Sequence, residues 1–262
     1  MSNDVFYHIG FRRADLGRNP PVIALLSGDP NRAAMIAHTF LTEVRTLSEN
    51  RGLNSYIGLL PNGRPVLSAT SGMGAPSLSI VVNELVQVGI QAVIRIGTTG
   101  SIQEQVKAGS CVISHAALCR QGAADDIAPV EYPAVADPFL TVDLVNAARE
   151  LSVPFHMGVT ASVDTFYEGQ ERSESSANQH LIRRMQGMTD EYRRLRILNY
   201  EMESGTLFKM GSVYGFAAGC VCGVIAQRTM AETVIEEQKA AAVNNAIKVA
   251  LLSAGRFQID GH

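Results

Sequence analysis

The sequence contains no tryptophan, few aromatic residues and little charge. Aromatic residues make up 6% and charged residues 18% of the 262 residues, and the formal net charge is −3. Nucleic-acid binding needs a broad basic surface, which a chain of this charge does not supply. We therefore expect no nucleic-acid partner, and any site for an anion must be local.

Cysteine pairs and long apolar runs are also missing. The four cysteines form no C-x-x-C pair, and no histidine stands at zinc-ligand spacing, so we expect no metal site. Cys220 and Cys222 would share one face of a strand, where cysteine usually fills a core. No apolar run reaches the length of a membrane span, and the N-terminal stretch lacks the regions of a signal peptide. These absences predict a protein of the reducing cytoplasm with no membrane partner.

Strand-like and helix-like patterns alternate along the chain without a repeat or a linker. With 46% hydrophobic residues, the stretch 1–262 can form one domain with a large core. The predicted strands are 22–26, 64–70 (after a hairpin turn at 61–63), 92–96, 155–160 and 216–226. The predicted helices are 30–40, 78–88, 139–151, 200–210 and 232–254. This alternation predicts an α/β fold, a central mixed or mostly parallel sheet with helices on both faces, whose ligands bind at the carboxyl ends of strands.

The stretch LLSGDPNRA, residues 25–33, has the pattern of a strand, a tight turn and a helix start. Asp29 is a suitable N-cap, and Pro30 suits the first helical position. Gly28 would let a ligand approach the backbone, and Arg32 would add positive charge where free amides favour an anion. The alternative is an ordinary turn with a surface arginine.

RIGTTG, residues 95–100, places an arginine in an apolar strand that we expect to end in a Gly-Thr-Thr-Gly turn. A buried guanidinium is costly unless an anion or a hydrogen-bond network meets it. Arg95 beside the hydroxyl of Thr98 would suit a phosphate-sized anion, or Arg95 could be structural and held by backbone carbonyls. The glycine-rich stretch 70–77 matches neither a Walker A loop nor G-x-G-x-x-G, which argues against ATP and dinucleotide sites.

Two acidic residues stand close together in LNYEMESG, residues 198–205, at an expected switch from strand to helix. Glu201 and Glu203 could interact with the start of the helix, as acidic residues there commonly do. Alternatively, such a carboxylate could accept two hydrogen bonds from the hydroxyls of a sugar.

The stretch DTFYEGQER, residues 164–172, follows a predicted strand and combines aromatic rings with an amide and a guanidinium. Phe166 could lie against a planar ring, and Gln170 could both donate and accept hydrogen bonds at the edge of a pyrimidine. Arg172 could stabilise negative charge on a leaving base. The alternative is a loop that is simply anchored by its aromatic residues.

Five stretches in this order, SGDPNR, RIGTTG, DTFYEGQER, NYEMES and GVIAQRT, resemble the motifs of uridine phosphorylases, a family of the nucleoside phosphorylase superfamily. The resemblance covers about residues 4–254. It implies an α/β enzyme of pyrimidine salvage that reversibly cleaves uridine, and also deoxyuridine or thymidine, with phosphate as co-substrate and no cofactor. It also implies a cytoplasmic homo-oligomer that is built from dimers, with the hexamer as the expected assembly.

The resemblance also implies roles for particular residues. Phosphate would be bound by Gly28, Arg32, Arg95, Thr98 and, from a neighbouring subunit, Arg51. Ribose would be bound by Thr98, Met202, Glu203 and, from the neighbour, His8. The base would be bound by Phe166, Gln170, Arg172 and Arg228. The residues expected to carry catalysis are Arg95, Glu203 and Arg172.

Three alternatives stay open: a purine nucleoside phosphorylase, a nucleosidase and a nucleoside-binding relative without turnover. Many purine-cleaving relatives place an aspartate after the late strand, whereas residues 226–229 read Ala-Gln-Arg-Thr. A nucleosidase attacks with water and would not need arginines at 32, 51 and 95. Gly52 stands where familiar members carry a glutamate that helps to bind a monovalent cation, so we expect no cation site. Glu168 replaces a small residue or proline in the base loop.

Overall fold

The computed structural model describes residues 4–228 and 236–259 of the chain. These residues form a central β-sheet and the helices that surround it. The strands are β1 (Ile23–Ser27), β2 (Thr42–Ser48), β3 (Ser55–Leu59), β4 (Pro65–Thr70), β5 (Ala92–Ser101), β6 (Cys111–Arg120), β7 (Phe155–Val163), β8 (Asn199–Glu201) and β9 (Ala217–Gln227). The α-helices are α1 (Pro30–Met35), α2 (Ala75–Gln87), α3 (Gly122–Asp125), α4 (Pro138–Glu150), α5 (Met188–Arg194), α6 (Ser204–Tyr214) and α7 (Glu236–Arg256).

The strands are ordered β2-β3-β4-β1-β5-β8-β7-β6-β9, and β9 also pairs with β5. The second half of the sheet therefore closes on itself. Strands β4, β1, β5 and β9 are parallel neighbours, whereas β8 runs antiparallel to β5. Because parallel strands end at the same edge, the turn that follows β1 and the last residues of β9 both lie beside the second half of β5.

Strand β1, in the middle of the sheet, is buried on both faces. Ala24 and Leu26 pack in the cluster that contains α2 and α6, whereas Ile23 and Leu25 pack in the cluster that contains α4 and α7. A strand that is covered on both sides reads as a continuous apolar run, which is why the sequence predicts it well. The predicted fold class, a mixed sheet with helices on both faces, is confirmed.

Most of the predicted elements are confirmed with shifted ends. β1, β4, β7, β9, α2 and α4 lie where the apolar patterns place them, and the hairpin turn at 61–63 joins β3 to β4. Cys220 and Cys222 share one face of β9, with their sulfurs 3.7 Å apart in the core. Of the long helix expected over 232–254, residues 232–235 lie outside the described residues and α7 covers the rest.

Two expectations about element boundaries are wrong. The Gly-Thr-Thr-Gly stretch is no turn, because β5 continues through it to Ser101 and pairs with β9. The helix expected from residue 200 begins at Ser204, since Asn199–Glu201 forms β8 between β5 and β7. The helix expected over 30–40 has the expected bounds: it is α-helical to Met35 and continues as a π turn to Phe40. In the described ranges, no helix is long and apolar enough to cross a bilayer.

Candidate active site

A cavity of about 560 Å³ opens where β1, β8 and β9 end beside the second half of β5. Most of the residues predicted for the site line it: Gly28, Arg32, Arg95, Thr98, Phe166, Gln170, Arg172, Met202 and Glu203. These residues lie far apart in sequence, and the pairing of β1, β8 and β9 with β5 brings them together. The other three predicted site residues, His8, Arg51 and Arg228, do not line the cavity.

The turn after β1 forms one wall of the cavity. Asp29 is the N-cap of α1, as the sequence predicts. Its side chain accepts a hydrogen bond of 2.9 Å from the backbone amide of Asn31. A Cβ at Gly28 would lie 3.2 Å from the carbonyl oxygen of Gly72, so a side chain there would press on the neighbouring loop. Arg32 Nη1 donates to the carbonyl of Ile96 over 3.2 Å, and burial and the nearby Arg95 both lower the pKa of Arg32. The arginine therefore lies against β5 and not on the open surface.

Arg95 is buried between two glutamates. It is 5% exposed, its Nε donates to Glu201 Oε2 over 3.1 Å, and its Nη2 pairs with Glu203 Oε2. Burial alone lowers the pKa of Arg95, but the carboxylates of Glu203 and then Glu201 raise it above its ordinary value. The guanidinium thus stays charged, and the partners that hold it are carboxylates rather than backbone carbonyls. Its Nη1 is buried and has no hydrogen-bond partner among the described residues.

Glu201 and Glu203 have different hydrogen-bond partners besides Arg95. Glu201 accepts 2.8 Å hydrogen bonds from the backbone amides of Glu203 and Ser204, and one of 2.6 Å from the Ser204 hydroxyl. It therefore anchors the start of α6 as well as Arg95. Glu203 Oε1 accepts from the amide of Gly74 over 2.7 Å. Burial raises the pKa of Glu203, against the opposing effect of Arg95.

The loop after β7 supplies an aromatic ring, an amide and a cation to the same cavity. The Arg172 guanidinium lies 4.2 Å from the centroid of the Phe166 ring, and its Nε donates to Gln170 Oε1 over 3.2 Å. Arg228 supports this loop from outside the cavity wall, because its Nη2 donates to the backbone oxygen of Gln170 over 2.6 Å. It also lies 5.4 Å from the ring centroid of Tyr200.

Sequence reasoning missed several residues of the cavity wall, among them Met73, Thr99 and Tyr200. The Tyr200 ring is buried, and its burial raises the pKa of the hydroxyl to about 12. Thr99 and Tyr200 each stand next to a residue that the motifs did identify. Both lie within the motifs RIGTTG and NYEMES, so adjacency in the motif was the available signal.

His8 and Arg51 lie together, away from the cavity. His8 Nδ1 is 2.6 Å from Glu84 Oε1, and Asn50 Nδ2 donates to the backbone oxygen of His8 over 2.9 Å. Arg51 follows Asn50 with a φ of 57° and lies 5.5 Å from the ring centroid of Tyr7. The two residues expected from a neighbouring subunit therefore share one surface patch of this chain, and neither completes its own cavity.

Comparisons with known proteins agree with the resemblance. Residues 22–255 match the model of the phosphorylase superfamily. The chain is 38% identical over 257 residues to the uridine phosphorylase of Escherichia coli, covering 98% of this chain and 100% of that protein. It is 40% identical over 253 residues to the uridine phosphorylase of Haemophilus influenzae, covering 94% and 98%. A guanosine phosphorylase of Halorubrum lacusprofundi is 29% identical over 202 residues, 77% of each chain. The chain therefore belongs to the phosphorylase superfamily, in the group of the uridine phosphorylases.

Proposed function

We propose that this chain is a pentosyltransferase that catalyses the reversible phosphorolysis of uridine. The observation that carries the proposal is one cavity lined by two arginines, a buried carboxylate and a glutamine–arginine pair. These groups match phosphate, ribose and uracil in turn. The similarity to uridine phosphorylases over nearly the whole chain supports uridine as the substrate, ahead of a purine nucleoside.

The phosphate would bind between Arg32 and Arg95. Both arginines lie at β5, and the unpartnered Nη1 of Arg95 is a buried donor that an incoming phosphate oxygen would satisfy. Gly28 and Thr98 line the same cavity and would add an amide and a hydroxyl as further donors. Two fixed cations would position phosphate for attack on the anomeric carbon without reorganisation during the reaction.

The ribose would be held by Glu203, with Met202 against the sugar. One oxygen of Glu203 is fixed by the Gly74 amide and the other by Arg95, so the carboxylate has a defined position. A carboxylate oxygen has more than one lone pair and can accept from the sugar hydroxyls as well. Its negative charge would also stabilise the positive charge that develops on the sugar in the transition state.

The uracil would lie at the base loop. As the C1′–N bond breaks, its electron pair moves onto uracil, while an oxygen of phosphate forms the new bond to the anomeric carbon. Arg172 and Gln170 are fixed to each other over 3.2 Å and would stabilise the charge of the departing base. Phe166 would pack on the base, and Arg228 would hold Gln170 through its backbone.

The remaining parts of the proposal concern the assembly and the cell. His8 and Arg51 would act in the cavity of a neighbouring copy, in a homo-oligomer built from dimers and most simply a hexamer. We place the enzyme in the cytoplasm, where it would serve pyrimidine salvage, and the free cysteines support a reducing compartment. We propose phosphate as co-substrate with no resident cofactor, metal or monovalent cation. Equal activity in potassium, sodium and tetramethylammonium buffers would support the absence of a bound monovalent cation.

The test of the reaction is the absorbance of uridine incubated with the purified protein, with and without phosphate. Loss of uridine only with phosphate, and formation of ribose 1-phosphate, are the expected results. Loss without phosphate would identify a nucleosidase, and binding without turnover would identify a binding protein. Inosine run in parallel distinguishes a purine phosphorylase, while deoxyuridine and thymidine define the preference for the sugar and the base.

A further inference from the structure

Glu171 stands between the two residues that would read the base, yet its carboxylate turns away from them. Gln170 and Arg172 line the cavity, and Glu171 does not. The backbone of Glu171 has a φ of 49°, a left-handed conformation that residues other than glycine rarely adopt. With this backbone conformation, the side chain of Glu171 points away from the cavity that Gln170 and Arg172 line.

Both oxygens of the Glu171 carboxylate are bound to a segment well downstream in sequence. Oε1 accepts a hydrogen bond from the amide of Gly187, and Oε2 accepts one from the amide of Thr189. Hydrogen bonds from amides to a carboxylate are stronger than those between neutral groups. The Thr189 hydroxyl is in turn 2.9 Å from the hydroxyl of Tyr200, which lines the cavity. The base loop is thus connected through Glu171 to a fixed part of the cavity wall.

The other hydrogen bonds of this loop act differently. The amide of Gly169 donates to Thr165 Oγ1 over 2.7 Å, and the amide of Glu171 donates to the carbonyl of Glu168 over 3.1 Å. Both bonds lie within the loop and shape its turn without fixing it to the wall. Arg228 does reach the loop from outside, and there it binds the backbone oxygen of Gln170.

We propose that Glu171 is a positioning residue that determines how well the chain binds the uracil base. It acts through Gln170 and Arg172 and touches neither the nucleoside nor the phosphate. The inference rests on the proposed function, because it assigns the base to this loop. It predicts that a loss of the carboxylate weakens the binding of uridine and leaves the phosphate end of the cavity, at Arg32 and Arg95, unchanged.

The test compares Glu171→Ala and Glu171→Gln with the parent chain in steady-state kinetics. For Glu171→Ala, we expect kcat/KM for uridine to fall by about 10- to 100-fold, chiefly through KM, as a small displacement of substrate-contacting groups would cause. The KM for phosphate should stay within about twofold of the parent value. Glu171→Gln keeps one acceptor oxygen and should show a smaller loss. The matched control is Glu174→Ala, which removes the same charge from an exposed side chain of the same segment and should behave like the parent.

Two further measurements separate positioning from a general loss of structure. Uracil and phosphate are each added in thermal unfolding experiments, and Glu171→Ala should keep the stabilisation by phosphate but lose most of that by uracil. Glu171→Gly removes the carboxylate while permitting the positive φ. If Glu171→Gly binds uridine as the parent does, or if Glu171→Ala changes only the melting temperature, the inference is overturned. If the parent itself shows no phosphate-dependent loss of uridine, the proposed function fails first.

Discussion

Replacing Arg95 by methionine removes the cation that two buried glutamates share. Loss of one partner of a buried ion pair costs about 3–5 kcal/mol, because the other charge stays buried without compensation. Glu201 and Glu203 are about as buried as Arg95, and each keeps at least one backbone amide as a donor, so we expect a loss within this range. For a chain of this size, roughly 2–4 °C are lost per kcal/mol, and the melting temperature should fall by roughly 6–20 °C.

The assay is thermal unfolding with and without phosphate, combined with turnover of uridine. Phosphate at about 100 times its Kd should stabilise the parent by about 2.7 kcal/mol. In Arg95→Met, this stabilisation should be nearly lost, and the rate should fall by about a hundredfold or more at a temperature where the variant is folded. Arg95→Lys is the matched control, since it keeps the charge but not the planar fork that holds two carboxylates. It should recover more of the stability than of the activity.

A double variant identifies the source of the loss. Adding Glu203→Gln to Arg95→Met removes one of the uncompensated charges, so it should restore part of the melting temperature, with a coupling of about 0.5–3 kcal/mol. The reasoning is refuted if Arg95→Met melts at the parent's temperature and is still stabilised by phosphate. Arg95 would then be neither the centre of a buried charge cluster nor a phosphate ligand.

Three further predictions concern other parts of the chain. Glu203→Gln should impair turnover of uridine far more than thermal stabilisation by phosphate, and an equal loss of both would contradict a ribose contact. Arg51→Ala should raise the KM for phosphate with little change in stability, since its side chain is exposed; a fully active monomer in sizing chromatography would exclude an action on a neighbour. Burial raises the pKa of Cys111 to about 12 and of Cys119 to about 11, and the contact with Cys222 together with burial raises that of Cys220. The thiols of Cys111, Cys119 and Cys220 should therefore react slowly with a disulfide reagent at pH 8, and rapid labelling of these three in the folded chain would contradict the prediction. After unfolding, all four cysteines should react.

How accurately the sequence predicts each strand depends on how deeply that strand is buried. β1 and β9 are covered on both faces and read as apolar runs, so their positions were predicted within one residue. β2 was missed because it is an edge strand whose side chains are mostly exposed, and its residues show no apolar alternation. β5 was predicted too short, because glycine and threonine are typical of turns and the pairing with β9 that extends it is not local in sequence.

The sequence by itself determined which groups follow which strands, and the motifs that they form were enough to identify the family and most of the residues predicted for the site. A helix N-cap at Asp29 or a core strand at β1 depends on neighbours in sequence, which can be read directly. Only the tertiary structure decided that Arg95 meets Glu201 and Glu203 rather than backbone carbonyls. These partners lie more than a hundred residues apart, and the register of β8 between β5 and β7 brings them together. The same holds for Glu171, whose partners at Gly187 and Thr189 depend on how two loops pack.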